Sequence, residues 1–164
     1  MKMKMDGATI VVGIIVLAML TLPFVLDTIR RRKKASHLLH ALRSLALQQQ
    51  CKVDQHAVVG DMALGMDKTR NILFYFSDLE EPPAAQRVDL AEIRACQAVK
   101  EKAGKRSADA TALPDRVELA LLPKAKGGSE TRLVLFQATL GVAVNGEVRI
   151  AEEWAKLIND RLVN

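Results

Sequence analysis

The pattern of apolar and polar positions divides the chain into an uncharged run, a helical repeat and a strand-rich remainder. Ala8 to Leu26 holds nineteen consecutive uncharged residues, mostly Ile, Val, Leu and Met. Coiled as a helix, this run is about 28 Å long, which matches bilayer hydrocarbon. It lacks a polar face, with Thr9 and Thr21 as its hydroxyls, and Arg30, Arg31, Arg32, Lys33 and Lys34 follow closely. This combination predicts a transmembrane helix over 8–27 in preference to a signal peptide, an interfacial helix or a buried soluble helix. Pro23 predicts a kink near its end. From Ala35 to Gln50, Leu38, Leu42, Leu45 and Gln49 recur at helical spacing with Ala41 and Ala46 on the same side. That spacing predicts a juxtamembrane helix, either continuous with the first or turning sharply after the cations.

After Cys51 the period shortens to two. Val58 to Met66 alternates, with Met62, Leu64 and Met66 on one face and Asp61, Ala63 and Gly65 on the other. Asp67 to Asn71 is turn material, and Ile72 to Phe76 is the strongest strand signal, so the two segments form a hairpin. Glu80-Glu81-Pro82-Pro83 marks a loop. Arg87 to Val99 reads as one strand with Val88, Leu90, Ile93, Ala95 and Val99 toward the core and an irregularity near Ala91-Glu92. Residues 100–115 read as a loop, Arg116 to Leu122 and Leu133 to Phe136 as two more strands. A closing helix from about Glu147 to Leu162 carries Ala151, Trp154, Ala155, Ile158 and Leu162 on one stripe. The fold expected is α+β: a tail (1–7), a transmembrane helix (8–27), a basic flank and juxtamembrane helix (28–50), and a soluble domain (51–164). In that domain a five-stranded antiparallel sheet or partial barrel is closed by the C-terminal amphipathic helix.

Strands followed by one C-terminal helix resemble, in outline, the bacterial pleckstrin-homology-like (PH-like) fold. Gly60-Asp61, Ala63-Leu64-Gly65, Asp67, Asp89-Leu90, Ile93 and Cys96 are similar to features of an uncharacterised family of small single-span bacterial membrane proteins. Gly146-Glu147, Glu153-Trp154, Ile158-Asn159 and Arg161-Leu162 belong to the same set. The resemblance implies a fold and a membrane anchor over most of residues 35–164, and no activity.

Charge changes the picture. The net +5 lies entirely in residues 1–34, where seven bases face two acids; residues 35–164 hold 17 of each. A neutral domain demotes nucleic-acid binding, which needs a basic surface. The cations after the apolar run favour a cytoplasmic C-terminal domain with the N-terminus outside, and Arg30 to Lys34 are expected to contact anionic lipid headgroups. On that side of a membrane Cys51 and Cys96 are reduced thiols.

Candidate chemistry is sparse. Gly60 and Gly65 with Lys68-Thr69 lack the spacing and the strand-to-helix setting of a phosphate loop. His37 and His40, with Cys51 or His56, have no spacing that forces metal ligands to converge. No serine lies in a nucleophile elbow, and Cys96 falls within a strand. No catalytic, metal or cofactor residue is assigned, and no cofactor is expected. Lys68, Arg70, Lys100, Lys102, Lys105 and Arg106 are candidate contacts for a partner or for lipid. The function expected is a membrane-anchored, non-catalytic interaction or scaffold protein with a membrane or cytoplasmic protein partner. The alternative is a peripheral sensor of anionic lipid. A homo-oligomer is compatible with the apolar surface of the second helix.

Overall fold

A computed structural model describes residues 7–79, 82–101, 114, 116–137 and 145–163, with the side chains of 7–15, 18–27, 31 and 145 undescribed. The element order is α1 (Gly7–Gln48), β1 (Gln55–Val59), β2 (Met62–Asp67), β3 (Ile72–Ser77), β4 (Ala84–Asp89), a 3₁₀ turn (Leu90–Glu92), β5 (Ile93–Glu101), β6 (Arg116–Pro123), β7 (Thr131–Gln137) and α2 (Asn145–Leu162). The chain is α+β, but the single five-stranded sheet is overturned. There are two antiparallel sheets, β1-β2-β3-β4 and β5-β6-β7.

Five strands became seven because two expected strands each contain a corner. Gly60-Asp61 closes a two-residue hairpin in which Val59 faces Met62. Gly60 has φ +53, a conformation that lacks steric cost only for glycine. The second corner is the 3₁₀ turn, whose N-cap Asp89 accepts a hydrogen bond from the Ala91 N–H at 2.9 Å. It carries the chain from one sheet to the other. A register shift between Ile93 and Ala95 then exchanges the faces of β5. Cys96 and Ala98 join the core in place of the expected Ala95 and Val99.

The first helix and the juxtamembrane helix are one element of 42 residues, about 63 Å long, and Pro23 does not end it. Among the described residues, no helix is long and apolar enough to cross a membrane. The single-pass assignment over 8–27, and the N-terminus-out sidedness built on it, are corrected on that finding. Of the run that suggested a span, Val16 and Leu17 have described side chains, both exposed; the other side chains lie outside the described ones. What is described of α1 is amphipathic. Each described residue before Ala35 is exposed, and from Leu38 onward one stripe is buried.

That stripe covers the outer face of the four-stranded sheet. Leu38, Leu42 and Ala46 form a cluster with Cys51, Ala63, Ile72 and Phe74. The inner face contributes Met62, Leu64, Met66, Leu73 and Tyr75 to the main core, which the three-stranded sheet completes with Val117, Leu119, Leu121, Leu133 and Leu135. Helix α2 supplies Ala151, Trp154, Ala155 and Ile158 to this core, the stripe its spacing predicts. Asn159 locks α2 to β5: its amide donates to the Cys96 carbonyl (2.7 Å) and its oxygen accepts from the Cys96 N–H (2.8 Å). The β2 and β3 strands are thus sandwiched, and β2 is buried at every position.

The helix seats closely because Gly65 lacks a side chain. A Cβ there lies 2.7 Å from Leu42 Cδ2 and 3.0 Å from Val53 Cγ1. Both neighbours belong to the cluster beneath α1, so neither can withdraw without opening it. Gly65→Ala is expected to lower the unfolding free energy by about 1–3 kcal/mol. The loss should shrink in a Leu42→Ala background, a coupling that a double-mutant cycle of urea unfolding measures.

Candidate interaction site

The sequence-predicted contact residues fall at two ends of the domain. At one end, Lys34 Nζ pairs with Asp61 of the β1–β2 turn at 2.5 Å. Arg30, Arg32 and Lys33 are exposed there on the same helix. At the other end, Arg70 in the β2–β3 turn donates through Nη1 to the Gln49 carbonyl at 3.3 Å. Lys34 and Gln49 are fifteen residue steps apart, Gln49 directly following the helix, so the two ends lie about 22 Å apart along α1.

The β2–β3 turn is built on Asp67. Its carboxylate is 3% exposed and accepts three backbone N–H groups: Thr69 and Arg70 on Oδ1 at 2.9 and 2.8 Å, and Lys52 on Oδ2 at 2.9 Å. Asp54 reciprocates by accepting the Lys68 N–H at 2.8 Å. Asn71, with φ +58, ends the turn, and Arg161 of α2 bonds to its Oδ1 at 3.2 Å and to the Lys68 carbonyl. Burial pushes the Asp67 carboxyl upward, but the three N–H bonds and the Arg70 charge prevail and hold it below the ordinary value. The backbone around Lys68 and Arg70 therefore serves to close the turn and fasten α1 and α2 to it.

Lys100 pairs with Glu152 of α2 at 2.5 Å. Lys102, Lys105 and Arg106 lie outside the described residues. Their brackets, Glu101 and Arg116, face each other across β5 and β6. Burial raises the Cys96 thiol to about 12, which suits an inert core position. Among the described residues, no group of three His, Cys, Asp or Glu could hold a metal ion.

The sequence did not reveal the seam between β4 and β7. A cleft of about 220 Å³ there is lined by Tyr75, Ser77, Gln86, Arg116, Arg132 and Val134, among others. A second, of about 370 Å³, shares Gln86 and continues past Val88, Asp89 and Glu92 to Pro123 and Thr131. Gln86 occupies a position between Ala84 and Val88 whose alternation points to the core, yet it is exposed. The seam is open to water there. Tyr75 bridges beneath it, its hydroxyl donating to the Val134 carbonyl at 2.6 Å, beside the bulge where β7 slips against Val117 and Glu118.

Beside the seam, Glu118 is 2% exposed and is held by Arg116 Nε on Oε1 at 2.5 Å and Arg132 Nη1 on Oε2 at 3.3 Å. Arg132 also meets Glu130 and Glu101, at 2.9 and 3.3 Å. Glu130 foremost, then Glu118, raises its guanidinium above the ordinary value. Alternation between Val117 and Leu119 places Glu118 on the outer face of β6, yet it is buried there against the head groups of Arg116 and Arg132, which no local pattern reports.

No protein-family model, curated protein or solved structure matches the chain.

The Asp67 node gives a pH test. Its lowered value means that its contribution is complete above the unfolded value near 3.8 and is lost as pH falls through the lower folded value. Asp67→Asn sets an amide donor against the Lys52 N–H and should cost about 1–3 kcal/mol at neutral pH. In chemical denaturation from pH 7 to pH 2, the wild-type advantage should stay level above about pH 5 and narrow below about pH 4.

Proposed function

We propose that this chain is a non-catalytic interaction module that recognises a protein partner through a sheet edge and its flanking loops. The observation that carries this reading is the open β4 edge, exposed at Ala85, Gln86 and Arg87 and bordered by two continuous clefts. Electrostatics support it. Asp67, Cys96 and Arg132 have shifted values, but they sit in a turn, on a core strand and at a surface ion cluster, and do not converge on one cleft. Photo-crosslinking in the native host tests the reading, with a photoreactive residue placed in turn at Arg87, Lys68, Gln97, Lys124 and Lys156 of the full chain. A discrete protein adduct from at least one surface is expected; no adduct from any of them would rule the module out.

A second reading is favoured by the exposed cations of α1. Arg30, Arg32 and Lys33 have no ion-pair partner among the described residues, whereas residues 35–164 are neutral. An anionic lipid surface would be met at that end of the domain, with Lys68 and Arg70 turned to the far end. Each cation contributes about 1 kcal/mol near such a surface, so neutralising all three should weaken binding roughly 100-fold. Vesicle flotation with and without phosphatidylserine measures this; Lys68→Gln should float as the wild type does. Equal flotation of the triple variant would exclude the cationic arm as the lipid contact.

A further inference from the structure

We infer that the β4 edge takes an extended segment of a partner polypeptide, pairing main chain with Ala85, Arg87 and Asp89 and setting an acidic side chain on Arg116. This inference rests on the interaction-module reading and names the kind of partner.

The backbone directions follow from one bond. Leu90 donates its N–H to the Asn71 carbonyl at 3.0 Å, one step beyond the Ile72–Asp89 pair. In an antiparallel ladder alternate residues bond inward, so Leu90, Val88, Gln86 and Ala84 face β3. Ala85 and Arg87 then direct their N–H and carbonyl groups away from it, and Asp89 its N–H, since the Asp89 carbonyl already accepts the first bond of the 3₁₀ turn. No strand pairs with that side of β4 among the described residues. The β5 edge differs, because Asn159 already occupies both backbone groups of Cys96. Strand addition to an open edge supplies affinity through the main chain and specificity through side-chain pockets.

The side-chain preference comes from the clefts. The β4 edge begins with Ala84 and Ala85, small enough for a second backbone to approach. Beyond Gln86, the cleft wall carries Arg116 and Arg132. Arg132 is surrounded by Glu118, Glu130 and Glu101. Arg116 spends only Nε, on Glu118, leaving both Nη groups without a partner among the described residues. Those two donors form the fork that takes a carboxylate bidentately. Glu118, buried and rigidly placed, orients that fork toward the cleft. The other cleft holds Asp89 and Glu92 against Arg87 and so disfavours a second acid further along the segment.

The test uses the full chain and a synthetic set of decapeptides without proline, each carrying one Glu among uncharged residues, matched by Gln versions. Fluorescence polarisation should find Glu peptides that bind, with the Gln versions about tenfold weaker. Hydrogen exchange at 85–89 should slow on binding. Ala85→Pro removes an outward N–H, the position at which an edge strand tolerates proline, and should cut binding at least about tenfold. Arg116→Gln should abolish the preference for Glu over Gln; because Glu118 loses one of its two cations the unfolding transition should fall, so binding is measured below that transition. It keeps the test decisive if Ala85→Pro does not fold. Absence of binding by any peptide, a preference for Glu over Gln that Arg116→Gln retains in full, or concentration-dependent dimerisation that protects 85–89 would overturn the inference. A crosslinked partner at another surface with none at Arg87 would overturn it too and leave the module reading intact. No adduct anywhere would remove that reading as well.

Discussion

The structure depends on how closely α1 can approach β2. Leu42 enters the space left by the missing side chain of Gly65, with Leu38 and Ala46 one turn to either side, and all three are removed from water. Each leucine buried this way contributes about 1.5–3 kcal/mol. The consequence is a sheet covered on both faces: Ala63, Ile72 and Phe74 belong to the helix, Leu64, Leu73 and Tyr75 to the core. With Leu42 over Gly65, the contacts at the two ends set the direction: Lys34 lies at the Asp61 turn and Gln49 beside Arg70 of the β2–β3 turn, so the cation run and that turn are held apart.

The second sheet is fastened differently. No ladder joins β4 to β7; the 3₁₀ turn, fastened to the second sheet by the Lys124 N–H bond to the Glu92 carbonyl, and the Tyr75 hydroxyl hold the two sheets together on this side. On the other side α2 closes the core through Trp154 and Ile158, and its polar residues Asn159 and Arg161 reach β5 and the β2–β3 turn. Closure by a helix on one side and by point contacts on the other leaves the seam at Gln86 open. An edge strand left in that condition invites pairing, and Arg87 and Asp89 on it restrict the pairing to segments whose charges suit them.

Much of the architecture was legible in the sequence, and the losses have local causes. Alternation through Met62, Leu64 and Met66 assigned the inner face correctly, and the 3.6 spacing of Ala151, Trp154, Ala155 and Ile158 found the capping stripe. The hairpin at Gly60-Asp61 was missed because apolar residues flank it closely enough to resemble one alternating strand. At Leu90–Glu92 both Leu90 and Ile93 are buried, so hydropathy runs smoothly through a change of sheet. The register shift at Ile93/Ala95 then reverses the parity, which is why Ala95 and Val99 were assigned to the wrong face. The uniform run at 8–26 is a property of composition, whereas the described part of α1 derives its burial from one stripe against a sheet. The candidate edge was illegible for a deeper reason: whether a strand lies at an edge depends on sheet order, and no residue in AAQRVD states it.

Glu118 shows how the ionic part of the molecule should be read. A carboxylate removed from water between two arginines costs desolvation that an apolar trio would avoid, so its presence is weak evidence for stability. What it secures is position. With Glu118 buried, Arg116 cannot swing freely, and its remaining donors stay beside Gln86 at the mouth of the seam. Asp67 is the converse case. Its carboxylate is spent wholly on backbone N–H groups, and its lowered value reports a turn being closed. Similar burial thus has different meanings: at Asp67 both oxygens are engaged by N–H groups of the fold, whereas beside Glu118 a partially used guanidinium lines the cleft at the open edge of β4.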